Sequence, residues 1–386
     1  MSSGCGLRAA GRMLAAAAVG AMLFAPLEAF AQVRRNEQEK PPAMTLDQYE
    51  PTSMLVVPGT PVSRAKFPFV DAHGHQNLTA PDSVLARLVA QMDSIGLRTM
   101  VNLSGGSGER LAAQVRNANA KYPGRFVVFA NIDFAKINEP DFARSAAAQL
   151  ERDVKDGGAA GLKIFKNLGM DTYWADGSRV RTDDPRLAPI WDKAGELGIP
   201  VLIHTAEPPA FFLPVDRHNE RYLELWQYPA RTRPPEKYPP FDSLMAEQHR
   251  MFKRHPQTKF ISAHLSWLGQ DLARLGRTLD TIPNMYVEVA AALYEIGRQP
   301  RAGREFFEKY QDRILMGKDT FGGPDEFAVY FRIFETPDEY FPWYRRRHAF
   351  WGMYGMALPD SVLRKVYFQN AERIIPGIRH AVHSQQ

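Results

Sequence analysis

Two histidines near residue 70 are the first side chains in this sequence that suggest chemistry. Residues 69–75 read FVDAHGH, an apolar run and an aspartate followed by His73 and His75 around a single glycine. Residues i and i+2 of a β-strand point to the same face, so the two imidazoles would lie side by side. Neighbouring imidazoles suit a shared metal ion, although a single pair of this kind more often packs or hydrogen-bonds to a loop. The rest of the chain must therefore supply further ligands.

Further metal-binding side chains stand where later apolar runs end. His204 closes VLIH, His264 closes KFISAH, and Asp319 follows ILMGK. Imidazole and carboxylate ligands without a thiolate suit one divalent ion, Zn²⁺ first, with Mn²⁺, Fe²⁺ or Co²⁺ as alternatives. Such an ion would activate a bound water, to which Asp319 could also hydrogen-bond. His264 is left either as a general acid or base or as a ligand to a second metal.

The spacing of apolar residues predicts eight strand–helix units in succession. Helical spacing occurs after each strand, for example over 83–95, 142–154, 187–197 and 243–254. The predicted strands are Phe67–Asp71, Arg98–Leu103, Phe126–Ile132, Gly161–Phe165, Val201–His204, Lys259–His264, Met285–Val289 and Ile314–Gly317. Eight alternating units predict an α/β fold, a closed (β/α)8 TIM-type barrel, whose sites lie at the carboxyl ends of the strands. The histidines and Asp319 all fall at such ends.

A long insertion is predicted after the fifth strand, between Glu207 and Pro240. Its aromatic residues argue against disorder, and we expect it to line the substrate pocket rather than to form only a surface or dimer contact. Glu288 in the seventh strand is either an acid of the site or a structural partner for a lysine. The residues predicted to line the pocket are Phe211, Phe212, Trp226, Trp267, Glu288 and Lys318.

The ends of the chain are predicted to lie outside the barrel. Residues 1–31 combine Arg8 and Arg12 with a short apolar run and an Ala29–Ala31 cleavage pattern, which predicts a secretory signal peptide. A retained membrane anchor is the alternative, and the shortness of the apolar run argues against it. Removing residues 1–31 leaves no cysteine and a net charge of +4, and no stable membrane span is expected after cleavage. Residues 32–65 are predicted to be loosely ordered, 66–378 to form the barrel and 379–386 a tail. The basic surplus is not clustered, so nucleic-acid binding is not expected.

The ensemble VDAHGH, VLIHTAEP, SAHLSW and MGKDTFGG resembles the amidohydrolase superfamily. The similarity covers about residues 67–376 and is greatest for the amidohydrolase-related group (amidohydrolase 2) that includes aminocarboxymuconate semialdehyde decarboxylase. The resemblance implies His264 as the acid, base or carbonyl-polarising residue. It also implies one metal ion, held by His73, His75, His204 and Asp319.

Three lysines near the strand ends bear on what this resemblance implies. In binuclear amidohydrolases a carboxylated lysine of the fourth strand bridges two metals, and Lys163 fits that position loosely. Otherwise Lys163 or Lys166 would bind a substrate carboxylate, and the single-metal form is favoured. Lys318 stands where a small residue is commoner, and would add positive charge beside the metal.

The same residues support three functions, because a fold does not determine chemistry. The first is an exported, periplasmic hydrolase that cleaves an amide, ester or lactone of a small molecule through a metal-activated water. The alternative is a metal-dependent, non-oxidative decarboxylase of an aromatic or enoic acid. The third is a metal- or solute-binding protein without turnover, in which His264 would be dispensable. The aromatic-rich 341–355 stretch suits a homodimer contact or packing within the barrel equally.

Overall fold

The structure is a computed structural model, and it describes residues 43–345, 347 and 351–378. Residues 43–53 form a unit of their own with a turn at 46–48, and residues from Met54 onward form the second unit. Residues 43–65 contain no helix or strand. The predicted signal peptide, residues 32–42 and the predicted tail lie outside the described residues.

Eight parallel strands pair in chain order, which confirms the predicted (β/α)8 barrel. The strands are β1 Phe69–Gly74, β2 Leu97–Asn102, β3 Phe126–Asn131, β4 Gly161–Ile164, β5 Val201–Ile203, β6 Phe260–Ser262, β7 Met285–Glu288 and β8 Ile314–Leu315. The first and last strands meet through backbone contacts, with the amide of Ala72 donating to the carbonyl of Met316 over 3.0 Å. A parallel bridge between Gly74 and Asp319 continues this contact. Barrel closure therefore brings the predicted ligands of β1 and β8 together.

Helices cover the outside of the barrel because each carries a buried apolar stripe. In the first, Leu85, Leu88, Met92 and Ile95 are buried, and Gly96 ends the helix at φ 83°. The helices are α1 Asp82–Ile95, α2 Gly108–Lys121, α3 Phe142–Lys155, α4 Ala188–Glu196, α5 Tyr222–Gln227, α6 Phe241–Arg254, α7 Leu272–Thr281, α8 Leu293–Gly297, α9 Pro300–Lys309, α10 Pro324–Glu335, α11 Asp360–Arg364 and α12 Asn370–Ile374. None of the helices in the described ranges is both long enough and apolar enough to cross a membrane.

The chain between β5 and α6 is the longest connection above the barrel. It contains α5 and two single-turn 3₁₀ helices, Pro209–Phe212 and Pro229–Arg231. Further 3₁₀ turns lie at Phe134–Lys136 and Pro185–Leu187, a π-helical turn spans Lys365–Gln369, and a short turn spans His264–Trp267. Thus residues 204–240 are folded locally, and their position after β5 places them next to the carboxyl ends of the strands.

Candidate metal centre and active site

His73 lies inside β1 and is fully buried. Its Nδ1 lies 2.9 Å from Oε1 of Glu288, a buried carboxylate at the end of β7. Since a carboxylate accepts, the imidazole donates from Nδ1, and Nε2 is the unprotonated nitrogen that can bind a metal. A carboxylate behind a histidine in this way fixes the ring orientation of a metal ligand.

Three donor atoms converge between β1 and the end of β8. Nε2 of His73 and Nε2 of His75 lie 3.6 and 3.5 Å from the same atom, Oδ1 of Asp319. The other nitrogen of His75, Nδ1, lies 2.8 Å from Oγ of Ser104, which follows β2. We call His73, His75 and Asp319 the metal cluster, because its three donor atoms lie within 4.8 Å of one another.

Asp71 links the two strands that carry the metal cluster. Its Oδ1 accepts the backbone amides of His73 and Lys318, each over 3.0 Å. The amide of Asp319 in turn donates to the carbonyl of His73 over 2.7 Å, and Asp319 has the left-handed backbone angle φ 79°. Asp71 is not among the predicted site residues, although its position two residues before His73, on the same face of the strand, was a signal that could have indicated it.

The Lys318 side chain does not join the metal cluster. Nζ lies 2.5 Å from Oε2 of Glu326 and 3.1 Å from the carbonyl oxygen of Thr320. The rings of Phe327, Tyr330 and Tyr344 surround it at 4.7–5.5 Å. The side chain of Lys318 extends toward α10, where its charge is paired with Glu326. It therefore does not add the positive charge beside the metal that was predicted.

His264 and His204 form a second pair next to the metal cluster. Nδ1 of His264 lies 2.8 Å from the carbonyl oxygen of Ala290 and must donate, which leaves Nε2 as the exchangeable nitrogen. That Nε2 lies 3.2 Å from Nδ1 of His204. His73, His264 and Glu288 also form a compact donor group. His204 thus adjoins the site through His264, and its role as fourth ligand stays a prediction.

The two predicted lysines occupy different settings. Nζ of the buried Lys163 lies 3.4 Å from Nε2 of His73. Nζ of Lys166 lies 2.5 Å from Oε1 of Glu207, which also accepts from Arg233 over 2.8 Å. Glu207, three residues after His204, was not predicted as a site residue. Its Oε2 lies 3.9 Å from Nε2 of His204.

The predicted aromatic residues are not all brought to the metal cluster. The Trp267 ring packs against His264 at an interplanar angle of 30°, with ring centroids 4.5 Å apart. Phe211 is buried between the guanidinium groups of Arg221 and Arg231. Phe212 packs on Phe241, and 55% of Trp226 is exposed. Phe165, not predicted, has its ring 6.0 Å from that of His75 and is partly exposed.

Burial and charge shift the pKa values of these groups in directions that suit metal binding. Burial, and then the Lys163 charge, lower the pKa of His73 well below its ordinary value and also lower that of His75. Burial opposes ionisation of Asp319, but the electrostatic effects of the nearby histidines, His73 first, and of Lys163 outweigh it and lower the pKa to about 2. The cluster therefore presents neutral imidazoles and a carboxylate, which are the ligand forms of these side chains.

The donor set fits a divalent cation. Two imidazole nitrogens and a carboxylate oxygen suit Zn²⁺ and its neighbours such as Mn²⁺. Nε2 of His204 is buried without a hydrogen-bond partner among the described residues, and a cation would satisfy it. The chemistry of the donors does not distinguish Zn²⁺ from Mn²⁺.

The barrel and its site are typical of metal-dependent (β/α)8 enzymes, with His73 in β1, His75 directly after it and Asp319 after β8. The amidohydrolase family profile (Amidohydro_2) matches residues 70–377, so the chain belongs to that enzyme family. No curated protein sequence matches this chain significantly.

Solved structures share the fold at low sequence identity. The 4-oxalomesaconate hydratase of Rhodopseudomonas palustris is 14% identical with a TM-score of 0.50, over 80% of this chain and 96% of that one. The manganese-bound 5-carboxyvanillate decarboxylase of Novosphingobium aromaticivorans is 13% identical with a TM-score of 0.49, over 82% and 99%. A 2,6-dihydroxybenzoate decarboxylase from Rhizobium is 17% identical with a TM-score of 0.48, over 80% and 98%. At these identities the similarity extends to the fold alone.

Proposed function

We propose that this protein is a metal-dependent decarboxylase that removes CO2, without an oxidant, from a small aromatic or enoic carboxylic acid. Family membership supports a metal-dependent enzyme, and the arrangement of charges beside the metal cluster favours an anionic substrate. The hydrolase that the sequence first suggested becomes the second candidate.

The buried ammonium of Lys163 carries this proposal. Its Nζ lies 3.4 Å from Nε2 of His73, and it forms no ion pair within the described part of the chain. Its direct contacts, the imidazole of His73 and the Phe165 ring 5.5 Å away, carry no negative charge. A divalent cation on His73 would repel this ammonium. A substrate carboxylate that contacts both would reduce this repulsion by adding a negative charge.

The chain's own residues can then manage the proton that decarboxylation requires. A divalent ion in the cluster would act as a Lewis acid on the substrate's oxygen atoms. The bond between the carboxyl carbon and the substrate carbon breaks, its electron pair stays on the substrate carbon, and CO2 leaves. His264 delivers a proton to that carbon from Nε2, while its Nδ1 remains hydrogen-bonded to Ala290. Glu288, with Oε1 3.9 Å from Nδ1, supports the protonated ring.

The second candidate is hydrolysis of an amide, ester or lactone, and Lys163 also supports it. Burial lowers the pKa of Lys163 to about 8, so a fraction is neutral amine near neutral pH. A neutral amine can react with CO2 to form a carbamate, which would bridge two metals and recruit His204 and His264. Such a binuclear site would hold two metal ions per chain, and the metal content would fall when Lys163 is replaced by alanine.

The test is a parallel assay of CO2 release and hydrolysis. Metal-loaded protein is incubated with benzoic and enoic acids, and separately with lactones and esters. We expect CO2 release that falls at least about 100-fold in His264→Asn, the usual scale for a lost acid or base. Lys163→Met should lose activity as well, whereas the control Lys193→Met, on the outer surface, should not.

Three other outcomes would contradict the proposal. Hydrolysis without CO2 release, with two metals per chain, would favour the second candidate. Decarboxylation that is unchanged in His264→Asn would remove its assigned role. If the protein shows neither activity, and ligand binding is unchanged in His264→Asn, the non-catalytic metal- or solute-binding protein would be favoured.

We further propose that the metal is Zn²⁺, that the protein is exported to the periplasm, and that it forms a homodimer. Zn²⁺ is proposed because imidazole and carboxylate ligands without a thiolate are a common donor set of catalytic zinc sites. The charge and apolar pattern of residues 1–31 supports export, and the exposed Trp351 at the aromatic-rich stretch supports a dimer contact. Elemental analysis, cell fractionation with N-terminal sequencing, and light scattering test these three points.

A further inference from the structure

The turn after β6 has an unusual backbone. Four consecutive residues, none of them glycine, have left-handed angles: φ is 57° at His264, 53° at Leu265, 59° at Ser266 and 49° at Trp267. A left-handed residue other than glycine costs roughly 1 kcal/mol or more, and runs of them are rare. Contacts with neighbouring elements must therefore stabilise this turn. Because the turn is strained, the positions of its side chains are informative.

Buried polar contacts fix the turn at both ends. The amide of His264 donates to Oε1 of Glu288 over 2.8 Å. Oγ of Ser266 lies 3.0 Å from Oγ of Ser262 and 3.3 Å from Oε1 of Gln248, which lies on α6. The turn therefore cannot relax without breaking contacts to β6, β7 and α6.

The result of this turn is the position of the Trp267 ring. Its centroid lies 4.5 Å from that of His264 and 5.8 Å from that of His204. The Trp267 ring thus lies against both histidines that adjoin the metal cluster. His75 and Asp319 of that cluster remain 28% and 31% exposed, so a small molecule can reach this region.

The indole N–H of Trp267 is a buried donor without an acceptor. The residue is 8% exposed, and its Nε1 has no hydrogen-bond partner among the described residues. Leaving a buried donor unsatisfied costs about 1–3 kcal/mol. The indole N–H groups of Trp191 and Trp343 also lack an acceptor within the described part of the chain. However, Trp191 lies on α4, and Trp343 packs among Tyr294, Tyr330 and Tyr344.

We propose that the indole N–H of Trp267 donates a hydrogen bond to an oxygen atom of the bound carboxylic acid. Trp267 is then a specificity-determining residue, and the strained turn serves to present its donor beside His264. This inference rests on the proposed function, because it needs a carboxylic acid in the site. It predicts that acids lose affinity when this N–H is removed, even if the metal and Lys163 are intact.

The experiment follows the indole N–H signals of the full chain, loaded with diamagnetic Zn²⁺, during a titration with benzoate. The chain has 6 tryptophans, and the missing signal in Trp267→Phe assigns the relevant peak. We expect that peak to move downfield on binding. The Kd for benzoate should rise about 10- to 100-fold in Trp267→Phe, as for a lost hydrogen bond to a charged group. Trp191→Phe and Trp343→Phe remove the same donor from buried positions elsewhere and should leave the Kd unchanged.

The outcomes separate this inference from the proposed function. If benzoate binds with an affinity that needs Lys163, but the Trp267 signal and the Kd of Trp267→Phe do not change, the inference is wrong and the carboxylate site stands. If wild-type protein binds no benzoate, the carboxylate site fails and the inference fails with it. A Trp267→Phe protein with the wild-type circular dichroism spectrum and metal content excludes misfolding as the cause of a weaker Kd.

Discussion

Two regions of this barrel bury charged groups, and they do so in opposite ways. Near the 204–240 connection, the guanidinium of Arg221 is paired with Glu224 and with the hydroxyl of Tyr294, and Arg231 pairs with the same Glu224. We call these four residues the segment network. In the metal cluster, by contrast, donor atoms face one another, and the nearest ammonium, Lys163, points at an imidazole.

The difference shows that burial of charge does not by itself mark a functional site. In the segment network each cation has an anionic or hydroxyl partner, so the arrangement is complete as it stands. The metal cluster and its surroundings would be stabilised by a cation on the donor atoms and an anion beside Lys163. An electrostatic arrangement that is incomplete without a ligand is what distinguishes the site.

The largest effect on stability should come from breaking the segment network. Glu224→Leu would leave the buried guanidinium of Arg221 without a carboxylate, and we expect the free energy of unfolding to fall by about 3–5 kcal/mol. Metal content should not change, because the metal cluster is separate. Urea unfolding measures the loss.

Glu236→Leu, at an exposed position of the same connection, is the matched control and should change the free energy by less than about 0.5 kcal/mol. Equal effects of the two substitutions would show that the segment network contributes nothing specific.

Asp71 should matter for the metal rather than for stability alone. Asp71→Leu removes the acceptor shared by the amides of His73 and Lys318, and we expect the Kd for Zn²⁺ to rise about 10- to 100-fold. Asp71→Asn keeps an acceptor oxygen, and burial already raises the pKa of Asp71 to about 7, so asparagine resembles its neutral form. Competition with a chelator should show a change of only a few-fold for asparagine. Equal Kd values for the two variants would refute this positioning role.

Lys163→Met should stabilise the metal-free protein, in contrast with Glu224→Leu. Burial lowers the pKa of Lys163 to about 8, so below that pH the folded chain holds a charge that the unfolded chain accommodates better. We expect a gain of about 1–2 kcal/mol at pH 7, measured by urea unfolding with a chelator present. As the pH rises from 8 toward 10.5, the wild type loses this penalty and the difference should shrink.

Lys193→Met, which removes a partly exposed lysine paired with Glu196, is the control and should give no gain. A loss of stability in Lys163→Met would mean that the ammonium is already satisfied in the folded chain.

The barrel could be predicted from the sequence because its strands are apolar runs separated by helical stretches of regular spacing. The ends of individual strands lie a few residues from their predicted positions. The first strand runs to Gly74, which places His73 inside it, and the fifth ends at Ile203, before His204. The proximity of His73, His75 and Asp319 could also be predicted, because they stand at strand ends and barrel closure makes β1 and β8 neighbours.

Side-chain directions beyond the strands could not be derived in this way. The left-handed turn at His264–Trp267 contains no glycine that would have indicated it. The turn of Lys318 toward Glu326 depends on the packing of α10, and the burial of Phe211 depends on arginines up to twenty residues away. Such contacts arise from tertiary structure that no local pattern encodes.

The central claim is that His73, His75 and Asp319 hold a divalent metal ion. Its most direct test is elemental analysis of purified protein after loading with Zn²⁺ and removal of excess metal. We expect one equivalent per chain in wild type and in Asp312→Asn, a control outside the metal cluster, and loss of that metal in His73→Asn and Asp319→Asn. Wild-type protein without metal, or full metal content in both cluster variants, would contradict it.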